Sequence, residues 1–158
     1  MAFLEWLQAT WVGKLVAESL WGYPLLETVH SIGMAMMIGS LGLINLRVLG
    51  YKPELPLLDV RQLLPLAWIG FTMNAISGTL LFTSDAVYFW DKYTFRIKMI
   101  LIILGGINAA LLGQRVFREA AAGAPALPPA AGTKWIAFLS LVFWFGAVIA
   151  GRLIAYAP

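Results

Sequence analysis

The chain has no cysteine, a single histidine and few charges, and each scarcity excludes something. Without cysteine there is no disulfide, no thiolate metal site and no cysteine nucleophile. With one imidazole, a single copy of the chain cannot supply both axial ligands of a bis-histidine haem. Only 12% of the 158 residues are charged, against roughly 25% in a soluble domain. The net charge of +3 is modest, and no basic run interleaved with aromatics points to nucleic acid. The first residues carry Glu5 and no basic stretch before their apolar positions, which does not fit a cleaved signal peptide.

What remains is apolar: 61% of the residues are hydrophobic. A bilayer crossing needs about 20 predominantly apolar residues, and the sequence has room for four. Spans are expected over about residues 23–49, 63–84, 95–116 and 134–156. Pro24 is tolerated in the opening turn of the first, and Thr133 is placed to cap the fourth. Residues 3–20 carry Phe3, Trp6, Trp11 and Leu15 among Glu5, Gln8, Lys14 and Glu18. That mixture is too polar to cross and suits a helix lying at the interface, where Trp is favoured. Residues 50–56 form a breaker-rich loop, residues 85–93 read as interfacial, and residues 120–132 as an Ala/Pro/Gly linker. The fold class is therefore all-α: one transmembrane domain over 1–158, a polytopic four-helix bundle with an N-terminal interfacial helix.

Basic residues near the span ends set the orientation. Arg47, Lys52, Arg61, Arg115, Arg118 and Lys134 lie on one side and outnumber Lys14, Lys92 and Arg96 on the other. The expected location is a bacterial inner (cytoplasmic) membrane, crossed several times, with both termini periplasmic. Threaded so, four ionisable residues fall within the spans near the periplasmic face: Glu27, His30, Lys98 and Arg152. Ionisable residues in hydrocarbon cost at least about 2.5 kcal/mol on insertion scales and mark functional sites unless paired or snorkelling. Ser77, Thr79 and Thr83 of the second span reach the same half. All four spans then contribute polar atoms to one layer, as in bundles that hold a cofactor between facing helices.

Each residue type carries its own chemistry and a plainer alternative. His30 can ligate iron or another metal and can carry protons, or can simply bond a neighbouring helix. Lys98 and Arg152, with Arg96 nearer the surface, can clamp an anion, or the long side chains can snorkel to the interface. Met34, Met36 and Met37 follow His30, with Met73 and Met99 on other spans; thioethers suit Cu(I) and are also ordinary packing residues. Asn45, Asn74 and Asn108 read as glue between helices, and Ser31, Ala35, Gly39 and Gly42 as a small-residue packing stripe. Gly105 and Gly106 give the third span a close-contact patch.

The run Glu27-Thr-Val-His-Ser-Ile-Gly33, then Leu46-Arg47-Val-Leu-Gly50, resembles uncharacterised bacterial four-span membrane proteins. So do Phe71-Thr-Met-Asn-Ala-Ile-Ser-Gly78, Phe95-Arg-Ile-Lys-Met99 and Gly106-Ile-Asn-Ala109. More distantly the chain is similar to HemJ, the membrane protoporphyrinogen oxidase, and to CopD-like copper-resistance domains. HemJ-type proteins carry a histidine in an early span, an arginine near that span's far end and a lysine opening a later span, matching His30, Arg47 and Lys98. That resemblance implies a haem b site with His30 as metal ligand. The tryptophan-rich context of the HemJ histidine is absent and the loops differ, so the oxidase activity is not carried over. The expected function is haem b binding for electron transfer, with Lys98, Arg96 and Arg152 on the propionates. Quinone or a redox protein is the expected partner, besides the bilayer and further subunits. The alternatives are an accessory or scaffold subunit and, third, copper handling.

Overall fold

The apolar runs fold as long helices because a chain inside hydrocarbon must satisfy every backbone polar group internally. In a computed structural model, which describes residues 1–121 and 129–156 (backbone alone for 117–121), every described element is a helix. Two short helices, α1 (Ala2–Ala9) and α2 (Trp11–Glu18), precede the first long one, α3 (Gly22–Leu49). A turn of helix, α4 (Leu57–Arg61), leads into α5 (Leu64–Ser84), and another, α6 (Ala86–Asp91), into α7 (Tyr93–Ala121). The last is α8 (Ala131–Leu153). Four segments are long and apolar enough to cross a membrane: Gly22–Leu49, Leu57–Ser84, Tyr93–Val116 and Ala131–Leu153. Ile69, Ile76, Ile100, Ile107, Phe145 and Ile149 are exposed on their outer faces, an apolar belt suited to lipid. The chain is a multi-pass membrane protein.

The connections follow from their residues. Gly50 ends α3 in the left-handed conformation, with φ of 110°, which glycine adopts without steric cost. Gly50 N–H then bonds Arg47 O and Tyr51 N–H bonds Leu46 O, the Schellman closure of a helix end. Arg47 is buried beneath the loop that follows it. Its Nε donates to Leu55 O at 2.5 Å and its Nη2 to Pro53 O at 2.8 Å. Asp85 accepts from Tyr88 N–H at 3.4 Å and so caps α6.

The packing order is α5 on α3, α3 on α8, and α8 on α7. Where α3 crosses α5 the backbones nearly touch. A Cβ on Gly70 would lie 2.5 Å from Gly33 O and 2.6 Å from Met37 N. Where α7 crosses α8, Gly105 lies under the Trp144 indole and Gly146 under Leu101. The main apolar core sits at the loop end of the bundle: Ile44 and Val48 from α3, Leu112 and Val116 from α7, Ala137 from α8. Leu57, Val60 and Leu63, from α4 and the turn after it, close over that core.

Three details differ from the sequence expectation. The N-terminal segment is two helices, broken at Thr10, whose extended backbone lets its Oγ1 accept from Gly13 N–H at 3.2 Å. Gly13 is buried against Thr83 O of α5, and Gln8 Nε2 donates to Asp85 at 2.8 Å, so this segment is docked on the bundle. The fourth helix starts at Ala131, with Ala130 as its cap and Thr133 buried inside it, because nothing after Pro129 hinders helix formation. The Ser31–Gly42 stripe is not the packing face of α3: Gly39 and Gly42 have nothing within 4 Å. Buried instead are Gly33, Met37, Ser40, Ile44 and Val48. Most of the expected linker over 120–132 lies outside the described residues.

Candidate functional site

His30 lies two turns into α3, on the side that α5 approaches. The glycine crossing at Gly33 and Gly70 draws the helices so close that α5 side chains reach the histidine directly. Ser77 is fully buried, and its hydroxyl donates back to Met73 O at 2.5 Å. A hydroxyl has one proton to give. The 3.0 Å contact between Ser77 Oγ and His30 Nδ1 is a hydrogen bond whose direction follows the imidazole tautomer. With the serine proton on Met73 O, Nδ1–H donates and the lone pair is left on Nε2. Asn74 Nδ2 holds the same turn of α3, donating to His30 O at 3.1 Å. Gly78 gives the ring its room, since a Cβ there would lie 3.0 Å from His30 Cε1.

Lys98 comes to this end from the far side of the bundle. It is half-buried, and its stem crosses α8 at Gly151, where an added Cβ would meet Cδ, Cε and Nζ at 3.3 to 3.4 Å. Gly151 thus serves as a notch for the lysine. The half of the bundle away from the loop-end core therefore carries an imidazole on α3 and an ammonium on α7. Such a pair can ligate a metal-bearing group and neutralise its anionic edge, or can accept and donate hydrogen bonds to one polar ligand.

The remaining expected members are placed differently. Arg152 is exposed, its guanidinium 5.8 Å from the Tyr156 ring centroid. Arg96 is exposed too and donates to Asp91 O at 3.4 Å. The structure gives neither a contact with His30 or Lys98. Glu27 is exposed. Thr79 and Thr83 spend their hydroxyls on their own helix, at Ala75 O and Leu80 O. Arg47 serves the opposite end as the strap described above. Met36, Met37 and Met73 pack at the Gly33–Gly70 crossing, and among the described residues no three histidine, aspartate or glutamate side chains gather as metal ligands. Sequence reasoning missed Gly78 and Gly151, which make the space for the imidazole and the lysine. The available signal was small residues at the same depth as those side chains.

Compared with family models, with curated proteins and with solved structures, the chain has no match. Fold and surface define the class by themselves: a polytopic, all-helical membrane protein with a polar site built on His30.

Proposed function

We propose that this membrane protein binds haem b at the His30 end of its bundle and exchanges electrons with a redox partner or the quinone pool. The observation that carries the reading is the contact of His30 Nδ1 with Ser77 Oγ, which leaves Nε2 available as a ligand. Ligating histidines are typically held through the other ring nitrogen, which fixes tautomer and ring direction. Here Ser77 does that holding, at 3.0 Å. The donor set fits a haem with one imidazole ligand, the axial arrangement of many haem proteins. Lys98 supplies a cation for a propionate, and Arg96 and Arg152, exposed at the same end, are the further cations of the reading. The resemblance to HemJ-type proteins at His30 and Lys98 points the same way. When bound, the group supplies one-electron exchange. The chain's own part is to orient the imidazole, neutralise the carboxylates and keep the site within the bilayer.

Protein purified in detergent from haem-replete cells should show a Soret band that His30→Ala abolishes or shifts while the protein stays folded. No Soret absorption in the wild type would sink the assignment. The basic residues around the loop end further suggest a bacterial inner membrane with both termini periplasmic. A cysteine introduced as Glu54→Cys, in the exposed loop after α3, should then label only after permeabilisation. Ready labelling from outside would reverse the orientation.

A second reading, a non-catalytic scaffold subunit, is favoured by one observation. The His30–Ser77 and Asn74–His30 bonds tie α3 to α5 whatever else they do. On that reading His30→Ala costs about 0.6 kcal/mol, the mean of measured intramembrane hydrogen bonds, and changes no spectrum. Copper held by His30 and the methionines is the third reading; metal analysis of the purified protein tests it.

A further inference from the structure

Away from the His30 site, buried polar atoms without a partner collect where α3, α7 and α8 meet. They are Asn45 Oδ1, Asn108 Oδ1 and Trp144 Nε1. None of the three residues is more than 7% exposed. Their register is fixed by contacts on the page. Asn45 Nδ2 donates to Ser140 Oγ at 3.0 Å, which levels α3 with α8. Gly105 under the Trp144 indole levels α7 with α8. Trp144 then stands a turn from Ser140, and Asn108 within a turn of Gly105. A turn is about 5.4 Å. A cleft reaches this level: Asn45 and Ser140 line it with Leu41, Ile44, Leu112 and the first residue of α5, Leu64.

Leaving such groups unpaired in a low-dielectric interior is unfavourable, so the chemistry of the set identifies its occupant. Two amide oxygens need donors, and the indole N–H needs an acceptor. A cation would suit the oxygens but meet the indole N–H with its positive end. A carbonyl-bearing ligand would suit the indole and leave both amide oxygens unpaired. Water alone offers two donors and acceptor capacity in a molecule small enough for a narrow cleft. We infer that the α3/α7/α8 seam is an internal hydration site, whose ordered waters bridge Asn45, Asn108 and Trp144 and exchange through the cleft beside Leu64. The inference is independent of any cofactor at His30.

The test is X-ray hydroxyl-radical labelling of the wild-type protein in detergent, with modified residues located by mass spectrometry. Waters bound at the seam should yield oxidation of Trp144 despite its burial, and Asn45→Leu/Asn108→Leu should lower that oxidation at least fivefold. Should the double variant fail to fold, Asn45→Leu and Asn108→Leu singly should each lower it, and the wild-type signal at Trp144 is itself diagnostic. Absence of oxidation at Trp144 in the wild type would overturn the inference. So would oxidation unchanged in folded variants. A thermal midpoint that depends on sodium against potassium would replace water by a cation and equally overturn it.

Discussion

The two ends of the bundle are held together by different means. At the loop end, branched apolar side chains of three helices interlock around Val48, and Arg47 straps the loop after α3 across the top. At the His30 end the close approaches are pairwise. Helix α3 meets α5 through glycine backbones and the bonds of His30, Ser77 and Asn74; α7 meets α8 through Gly105, Gly146 and Gly151. The polar chemistry lies at the end with the lesser apolar interlock. A membrane protein gains little from burying apolar groups, because lipid is as apolar as its core. Tight backbone contact and a few hydrogen bonds must then hold the end that carries a site.

The largest expected effect tests the glycine crossing. Gly70→Ala would set a methyl 2.5 Å from Gly33 O and 2.6 Å from Met37 N, and neither backbone can yield without parting the helices. The cost should be about 3 kcal/mol, the upper part of the overpacking range, and appear as a lower midpoint in denaturant titration from detergent. Gly39→Ala, in open space, should be neutral or stabilise by up to ~1 kcal/mol through helix propensity. Equal effects at the two positions would break the contrast between a contact face and a lipid face.

At the other end, Arg47→Met should cost about 2 kcal/mol, because two carbonyls lose a charged donor. Arg47→Lys should recover little of it, since an ammonium cannot reach Leu55 O and Pro53 O as a planar fork does. Proteolysis within residues 50–56 should rise in both variants. Full rescue by lysine would show that charge, rather than the fork, secures the loop.

How much of this was legible in the sequence depends on what a membrane leaves visible. The four spans were legible, because length and composition alone decide a crossing. Which face of α3 packs was not: its lipid side and protein side are both apolar, so Ser31, Ala35, Gly39 and Gly42 made a stripe as convincing as Gly33, Met37 and Ser40. The same ambiguity governs the site. His30 and Lys98 could be singled out as charges out of place. That Gly151 faces Lys98 while Arg152, the next residue, turns out to Tyr156 depends on the rotation of α8, which no local pattern reports. Thr10 broke the N-terminal helix because a threonine that bonds a following N–H can start a helix as readily as continue one.

The smallest expected effect on stability falls on the bond that carries the functional reading. Ser77→Ala removes the acceptor of His30 Nδ1–H and should cost only about 0.6 kcal/mol, as intramembrane hydrogen bonds do on average. Its effect on the imidazole should be large by comparison. The chain has a single histidine, so protein labelled with 15N at histidine gives one imidazole pattern and needs no assignment. In the wild type without cofactor that pattern should be the neutral Nδ1–H tautomer, since the Ser77 proton is committed to Met73 O. In Ser77→Ala the preference should move towards Nε2–H, the tautomer that cannot ligate through Nε2 without first losing its proton. A wild-type ring already protonated at Nε2 would mean that Ser77 donates to the histidine, and the free lone pair on which the haem reading rests would be gone.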